Sequence, residues 1–283
     1  MIRIRMLEIV LGASICLCAC QNMDGKTSLL ENPIKLKGEI LPTSRVTDLD
    51  LQSTRFVEGQ LAGVTIVNAR SEHENVAWIA DANGYLTNMG TEVSWGIGEI
   101  TVYAYHPYSV GMSISNSFTI STDQSTIKGY LNSDLLWAKK TTTKTDAPIA
   151  LSFKHKLAKL NVMLKSDSYD DLSGATISIC GTDIATRFNP LTGELTPSDE
   201  KNVKDIKASV TTSVALQASC VIIPQTVAGG TTFIKIDYDG STYNYKLQET
   251  IAFEGGKAYV FTININKNNP GDVGAVVPII PWG

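Results

Sequence analysis

Cysteines offer the clearest chemistry in this sequence, because three of its five cysteines lie between Cys16 and Cys20. A short start with two arginines precedes them, and residues 9–19, IVLGASICLCA, are apolar or small throughout. This is the layout of a secretory signal peptide with a small residue before the cleavage site. The run is too short to cross a membrane, which takes about 20 apolar residues. We therefore expect a signal peptide over residues 1–19.

The last four residues of this run, LCAC, resemble a bacterial lipobox, in which the thiol of the final cysteine receives a diacylglyceryl group. Signal cleavage would then fall between Ala19 and Cys20, and Cys20 would carry the lipid. Because two acyl chains suffice for stable anchoring, the mature protein would be tethered to a membrane rather than cross it; display as an outer membrane lipoprotein at the cell surface stays an expectation. A polar tether would follow over residues 20–31. Plain secretion without a lipid is the alternative.

Composition excludes some classes of function. The chain has 24 Lys plus Arg against 28 Asp plus Glu and contains no basic run, so it lacks the electrostatic signature of a nucleic-acid binder. Hydrophobic residues make up 43% of the sequence, which allows a sizeable core over a length that suits two domains. Cys180 and Cys220 lie in apolar surroundings, and either a disulfide or two buried thiols would fit them.

Alternation of apolar and polar residues predicts an all-β fold. A period of two recurs in KLNVMLK (159–165) and in YVFTININ (259–266), as expected for half-buried antiparallel strands. Two alternating runs around Asp239 and Gly240 predict a hairpin, because this pair adopts positive φ at low cost. The one polar window with a helical pattern is SDEKNVKDIK (198–207). We predict two mostly antiparallel β-sandwich domains in series.

A domain boundary is predicted near AKKTTTKTDAP, residues 138–148, because this segment is rich in threonine and lysine and poor in apolar residues. The N-terminal domain would then span residues 32–147. The C-terminal domain would span residues 148–283.

Catalytic motifs are not evident. The sequence contains no G-x-S-x-G elbow, no glycine-rich phosphate loop and no H-E-x-x-H motif, so we expect no enzyme, no metal and no cofactor. The three histidines, His73, His106 and His155, are scattered along the chain. The nearest candidate for a metal site, Glu72 to Glu74, is interpreted as a solvated loop.

Several segments taken together resemble the Bacteroidota fimbrillin family, the lipoprotein precursors of type V pili and their accessory subunits. The segments follow one another along nearly the whole mature chain: LCAC, SRVTD, RFVEGQLAGVTI, YAYHPY, SDLLWA, LSFKHKLAKLNVML, VIIPQT, FEGGKAYVFTINI and PIIPW. The resemblance implies two transthyretin-like sandwich domains. It also implies structural roles for His106 and His155, and packing roles for Trp95, Trp137 and Trp282, although exposed rings would suit sugar binding.

The resemblance further implies assembly by strand exchange after an arginine-specific protease removes the first strand. In this sequence NPIKLKGEI, Asn32 to Ile40, has alternating faces and fits that removable strand. Arg45 fits the cleavage position best, and Arg55 is its rival. The donor strand would be the C-terminal segment from residue 273 to residue 282, with Val273, Val276, Val277, Ile279, Ile280 and Trp282.

These observations lead to one expected function and one alternative. The expected function is a structural subunit of a surface fimbrium, serving as stalk, anchor or accessory piece and supporting adhesion. Its partners would be other fimbrial subunits, the outer membrane through the lipid, and a ligand on a host or bacterial surface. The alternative is a monomeric surface lipoprotein that binds glycan through exposed aromatic rings.

Overall fold

A computed structural model describes residues 33–41, 56–70, 73–113, 116–166, 171–211, 216–266 and 271–282. The elements up to residue 155 are β1 (Leu36–Ile40), β2 (Leu61–Val67), β3 (His73–Ala80), β4 (Tyr85–Asn88), β5 (Ile100–His106), β6 (Asn116–Thr119), α1 (Ile127–Leu131), β7 (Leu136–Thr142) and β8 (Ile149–His155). The strands that follow are β9 (Ala158–Ser166), β10 (Thr176–Asp183), β11 (Ala185–Asn189), β12 (Glu194–Pro197), β13 (Val203–Lys207), β14 (Ser209–Thr211), β15 (Leu216–Ile222), β16 (Gln225–Val227), β17 (Thr232–Tyr238), β18 (Ser241–Lys246), β19 (Ile251–Phe253), β20 (Lys257–Ile265), β21 (Asp272–Val273), β22 (Ala275–Val276) and β23 (Ile279–Pro281). The predicted all-β class is confirmed.

Seven strands of the first part form a closed barrel in the order β1-β4-β3-β2-β5-β7-β8. Every neighbouring pair is antiparallel except β1 and β8, which are parallel and close the ring. The barrel encloses its own hydrophobic cluster, to which β2, β5 and β8 contribute Val64, Val102 and Leu151. The predicted transthyretin-like sandwich is therefore not confirmed here: the strands form a closed ring, in which β1 fills the position that would otherwise leave two free edges.

The remaining strands form larger sheets around a second hydrophobic cluster. A five-stranded sheet has the order β13-β10-β17-β18-β21, and a six-stranded sheet has the order β14-β15-β9-β20-β22, with β23 also paired to β20. Both sheets contribute buried side chains to this cluster, for example Ile177 and Ile236 from one and Val162 and Phe261 from the other. Smaller sheets complete this part, with the orders β12-β11-β6 and β16-β19.

Most strands predicted from alternation are present. KLNVMLK lies in β9 and YVFTININ in β20, with their inward residues buried. The predicted antiparallel pairing holds for β9 with β15, whereas β9 and β20 pair with each other in parallel. The predicted hairpin joins β17 to β18, and both Asp239 (φ 47°) and Gly240 (φ 74°) have positive φ. These turns need positive φ at both central residues because their twist then matches that of the strands.

The helical interpretation of SDEKNVKDIK was wrong. Residues 203–207 of this window form β13, which pairs with β10 and buries Ile206 beside Ile179. Partner strands, which a polar window does not reveal, outweighed the local helical pattern. The one helix in the described residues is the short α1, whose N-cap Thr126 accepts a hydrogen bond from the backbone N–H of Gly129.

The segment predicted as a linker, residues 138–148, begins inside a strand. Ala138 to Thr142 belong to β7 and pair with β5 across the barrel wall. The following strand, β8, is also a barrel strand, and β9 belongs to the six-stranded sheet. The two-domain division itself stays a prediction.

Tyr105 joins the barrel wall to the second cluster. It lies in β5, yet its ring packs on Phe188 of β11 with a centroid separation of 5.6 Å. Its hydroxyl donates to Asn75 Oδ1 at 2.7 Å. Gly63 of β2 lies directly beneath the ring, where a Cβ atom would overlap it.

We predict that Gly63→Ala lowers the free energy of unfolding by about 1–3 kcal/mol, because the added methyl group displaces the Tyr105 ring. Thermal denaturation of the two proteins measures this change. Gly174→Ala is the control, since a Cβ atom at Gly174 meets open space. Equal melting temperatures for wild type and Gly63→Ala would contradict the linking role of Tyr105.

Candidate functional site: the two terminal strands

The barrel is closed by its first strand. Five successive residue pairs join β1 to β8 in parallel register, from Leu36 with Ile149 to Ile40 with Phe153. On its other side β1 pairs with β4 at two positions only, Leu36 with Leu86 and Lys37 with Tyr85. β1 is therefore held chiefly by β8.

Further backbone hydrogen bonds hold β1 and the residues directly before and after it. The N–H of Ile34 donates to Val93 O at 3.0 Å, and the N–H of Gly38 donates to Gly84 O at 2.8 Å. After the strand, the N–H of Leu41 donates to Phe153 O at 3.0 Å. Residues 34–41 thus form one continuous closing segment.

The two faces of β1 differ as the alternation predicted. Ile34, Leu36 and Ile40 are buried in the barrel cluster, whereas Lys35 and Glu39 are exposed. Burying an Ile or Leu side chain contributes about 1.5–3 kcal/mol, so these three contribute roughly 5–9 kcal/mol together. Removing β1 would expose a deep apolar slot, which water cannot fill favourably.

Phe56 covers the inner side of β1 opposite its one inward glycine, Gly38. The ring is buried and packs edge-to-face on Phe153 (centroids 4.9 Å apart) and on His106 (5.5 Å). Phe56 lies before β2 and is a core residue of the barrel cluster. In the sequence, Gly38 interrupts the apolar residues on the inner face of this strand. This gap is the signal that could have predicted an aromatic ring opposite Gly38.

His106 has the structural role implied by the resemblance. It is buried, its Nδ1–H donates to the backbone carbonyl of Leu61 at 2.8 Å, and Nε2 lies 3.3 Å from Gln60 Nε2, which donates to it. Burial lowers the pKa of His106, so the neutral imidazole is favoured in the core.

His73 does not lie in a solvated loop, so that interpretation was wrong. It opens β3 with its ring buried, and its Nε2 accepts a hydrogen bond from Trp78 Nε1 at 2.9 Å. Glu74 next to it is exposed, because neighbouring residues of a strand point to opposite faces. Burial lowers the pKa of His73.

The C-terminal segment lies along its own chain as edge strands. β21 pairs in parallel with β18, and β22 and β23 pair antiparallel with β20. Val273, Ala275 and Val277 point toward the second cluster, and after Pro278 the inward positions shift to Ile280 and Trp282. Val276 and Ile279 are exposed.

Trp282 anchors this segment. Its backbone N–H donates to Gly256 O at 2.7 Å, and its ring stacks on His155 with centroids 3.8 Å apart and planes 16° apart. Lys159 Nζ lies 5.5 Å from the centroid of the same ring, within the range of a cation–π contact. The indole N–H has no hydrogen-bond partner among the described residues, so ring contacts hold the indole in place.

His155, the support for Trp282, is itself fixed by a buried carboxylate. Its Nδ1 lies 2.9 Å from Asp134 Oδ1, and both side chains are buried. His155 is also the last residue of β8, the strand on which β1 depends. The two ends of the described chain therefore contact the same strand, β1 along its edge and Trp282 at its end.

All four tryptophans occupy packing positions. Trp78, Trp95 and Trp282 are buried, and Trp137 is half-buried with its Nε1 donating to the carbonyl of Pro190 at 2.8 Å. The stacked ring pairs in the described residues, His155 with Trp282 and Phe233 with Phe253, consist of buried side chains.

Cys180 and Cys220 are both free thiols in the structure. Cys220 lies wholly in the core, and burial raises its pKa. Cys180 is half-buried, and burial, with a smaller contribution from Asp205, raises its pKa to about 11. Neither thiol is activated for nucleophilic chemistry.

The described residues contain neither a candidate metal site nor a candidate membrane-spanning helix. In the ranges given above, no group of three or more His, Cys, Asp or Glu side chains could hold a metal ion. The same part of the chain has no helix that combines the length and the apolar character needed to cross a membrane.

Four of the predicted site residues lie outside the described part of the chain. These are Ala19 and Cys20 at the expected signal cleavage and lipidation site, and Arg45 and Arg55 at the expected protease site. The segment with both arginines, residues 42–55, connects the described residues Leu41 and Phe56, and therefore connects β1 to the rest of the barrel.

Comparison with known proteins gave consistent results. The family model described as fimbrillin-like matches residues 45–282. A curated protein of Bacteroides uniformis, "Putative fimbrium subunit Fim1C", is 29% identical over 175 residues, which cover 58% of this chain and 56% of that protein. This chain thus matches little more than half the length of that relative.

Two crystal structures share the fold. One, a "putative cell adhesion protein" from Bacteroides ovatus, gives a TM-score of 0.71 at 20% identity and covers 89% of this chain and 98% of its own. Another, from Bacteroides uniformis and described in the same words, gives a TM-score of 0.66 at 23% identity and covers 89% and 99%.

We predict that Trp282→Ala releases the C-terminal segment, because truncating a buried tryptophan costs about 3–5 kcal/mol. Hydrogen exchange should become faster in residues 272–282, and the melting temperature should fall. Val276→Ala serves as the control, since that side chain is exposed and its loss should change stability by less than about 0.5 kcal/mol. Unchanged exchange in Trp282→Ala would show that the anchor lies elsewhere.

Proposed function

Because the chain belongs to the fimbrillin-like family, we propose that it is a structural subunit of a surface fimbrium that assembles by strand exchange and supports adhesion. It serves as a stalk, anchor or accessory piece, and its partners are other fimbrial subunits. The names of the curated relative and of the structural neighbours, a fimbrium subunit and cell adhesion proteins, support this proposal.

One observation carries the proposal: the barrel is completed by its N-terminal strand, and the connection from that strand to the rest contains Arg45 and Arg55. A cut after either arginine leaves β1 attached only by hydrogen bonds and packing. Loss of β1 then creates two free edges, β8 and β4, with an apolar slot between them.

Such a vacant position favours binding of a strand from another chain. Unpaired backbone N–H and C=O groups provide main-chain hydrogen bonds, and the slot selects alternate side chains. The apolar groups uncovered by loss of β1 make filling the slot strongly favourable.

The C-terminal segment is the donor in this proposal. Its strands are two or three residues long and lie at sheet edges, and Pro278 and Pro281 lack the N–H of a regular ladder. It can therefore leave its own sheet at a lower cost than a central strand. Head-to-tail contact between different surfaces does not close on itself and so propagates as a filament.

Lipidation at Cys20 would hold the precursor at the outer membrane until this cut. Cys20 lies on the same side of Arg45 as β1, so one cleavage removes the anchor and the closing strand together. Release from the membrane and opening of the groove become a single event.

The glycan-binding alternative has no support from a specific observation. It requires a flat platform of exposed aromatic rings, whereas the tryptophans of this chain are buried or half-buried, and the exposed Tyr85 belongs to neither stacked ring pair of the described residues.

We predict that the wild-type protein treated with an arginine-specific protease forms a ladder of oligomers that survives mild detergent. The double variant Arg45→Ala with Arg55→Ala should remain monomeric, because β1 stays covalently attached and continues to fill the barrel. Gel electrophoresis without boiling measures the ladder, and Arg55→Ala is the matched control, which should still polymerise. Wild-type protein that is cut at Arg45 and stays monomeric would contradict a stalk role.

A separate prediction concerns the anchor. Cys20→Ala should abolish incorporation of labelled palmitate and release the protein from membranes, because the acceptor thiol is missing. Cys18→Ala, in which the thiol lies before the cleavage site, should label as wild type does. Equal labelling of the Cys20→Ala variant would refute lipidation at this residue.

A further inference from the structure

We propose that the groove vacated by β1 accepts the C-terminal strand of a second copy in one register and one direction, with Ala275 in the place of Gly38. The donor runs opposite to β1, and Phe56 of the acceptor chain is the residue that selects the register. This inference rests on the proposed strand exchange and specifies its partner and geometry.

Gly38 marks the narrowest point of the groove. A Cβ atom built on it would lie 2.8 Å from Cε2 of Phe56 and 3.2 Å from Cε2 of Phe153. Such close contacts exclude any large side chain at this position unless the Phe56 ring moves. On either side of Gly38 along the inner face, Leu36 and Ile40 fill wide parts of the slot.

The donor must therefore present a small residue between two apolar ones at a spacing of two. Val273, Ala275 and Val277 meet this requirement, and the same three side chains already form the inner face of the segment in its own sheet. If Gly274 took the place of Gly38 instead, Asp272 and Val276 would occupy the two flanking sites. Burying the Asp272 carboxylate in the apolar slot is strongly unfavourable.

Side chains outside this triplet determine the direction. With the donor reversed relative to β1, Ile279 falls in the buried site of Ile34, and Val276 falls at Lys37, beside Tyr85 of β4. In their own chain these groups are exposed, Ile279 at 54%, Val276 at 73% and Tyr85 at 44%. The reversed direction thus buries apolar surface that the monomer leaves in water. A donor strand that ran in the same direction as β1 would place Gly271 in the site of Ile34.

Backbone pairing favours the same direction. β1 is parallel to β8 over five residue pairs, and a reversed donor would be antiparallel to that strand. Antiparallel pairing is slightly more stable per residue. β8 provides five of the residue pairs in this groove and β4 provides two. A reversed donor therefore has the more stable antiparallel pairing along the strand with more residue pairs.

Phe56 acts as the specificity-determining residue because it stays with the acceptor after a cut at either arginine. Its ring needs only a small shift to admit the methyl group of Ala275, since the close contact involves the edge of the ring. A leucine would require the ring to leave the core position between Phe153 and His106.

The first test compares the rate of oligomer formation by the full chain after cleavage by an arginine-specific protease. Ala275→Gly should polymerise at least as fast as wild type, and Ala275→Leu should be slower by about fivefold or more, because overpacking costs at least about 1 kcal/mol. Gly274→Leu is the matched control, since in this register residue 274 takes the exposed position of Glu39 and a Cβ atom at Gly274 meets open space. The double variant Ala275→Leu with Phe56→Ala should regain at least part of the rate.

The outcomes separate the two proposals. A wild-type protein that is cut and forms no oligomers overturns strand exchange and this inference with it. A wild-type ladder with an equal rate for Ala275→Leu overturns the register while leaving strand exchange standing.

Disulfide trapping tests register and direction without altering the core. Ala150 and Ser152 are exposed on β8 and pair with Lys37 and Glu39 of β1. In the reversed register Val276 takes the place of Lys37, so chains with Val276→Cys should form an intermolecular disulfide with chains carrying Ala150→Cys. A disulfide formed instead with Ser152→Cys chains would show the direction of β1 and overturn the proposal.

Discussion

A β-barrel has no free edge only while every strand position is filled, and in this protein the last position is filled by β1. This strand joins β8 over five residue pairs, and β4 over two. The barrel cluster, the buried Phe56 and the seal of hydrogen bonds around residues 34–41 all depend on its presence. This strand is joined to the rest of the barrel through residues 42–55, where the proposed cut falls.

The C-terminal end of the described chain contacts β8, the strand that pairs with β1. Trp282 stacks on His155, which ends β8 and is fixed by Asp134. The donor segment therefore rests against one end of the strand whose edge is the proposed acceptor. If each C-terminal strand inserts into the next subunit, the edge of β8 that pairs with β1 before cleavage pairs with the donor strand in the assembly.

Much of this fold could be predicted from local pattern. The period of two identified β9, β20 and the β17–β18 hairpin, and it placed Ile34, Leu36 and Ile40 on one face of the first strand. Such patterns are local, so they show which face of a strand is buried. They do not show which strand is the neighbour.

The errors came from long-range contacts. β1 and β8 are separated by more than 100 residues along the chain, so barrel closure left no local signal. The strand β13 forms by pairing with β10. His73 becomes buried only in the folded barrel, where its ring accepts a hydrogen bond from Trp78 of the same strand. The role of Phe56 depends on Gly38, a glycine that the sequence marks only as a gap in an apolar face.

The most direct measurement is N-terminal sequencing of the protein isolated from intact surface filaments. The account predicts a start after Arg45, so that residues 34–41 are missing from the assembled subunit and another chain occupies their place. A filament in which this protein begins at Cys20 and retains β1 would contradict the account.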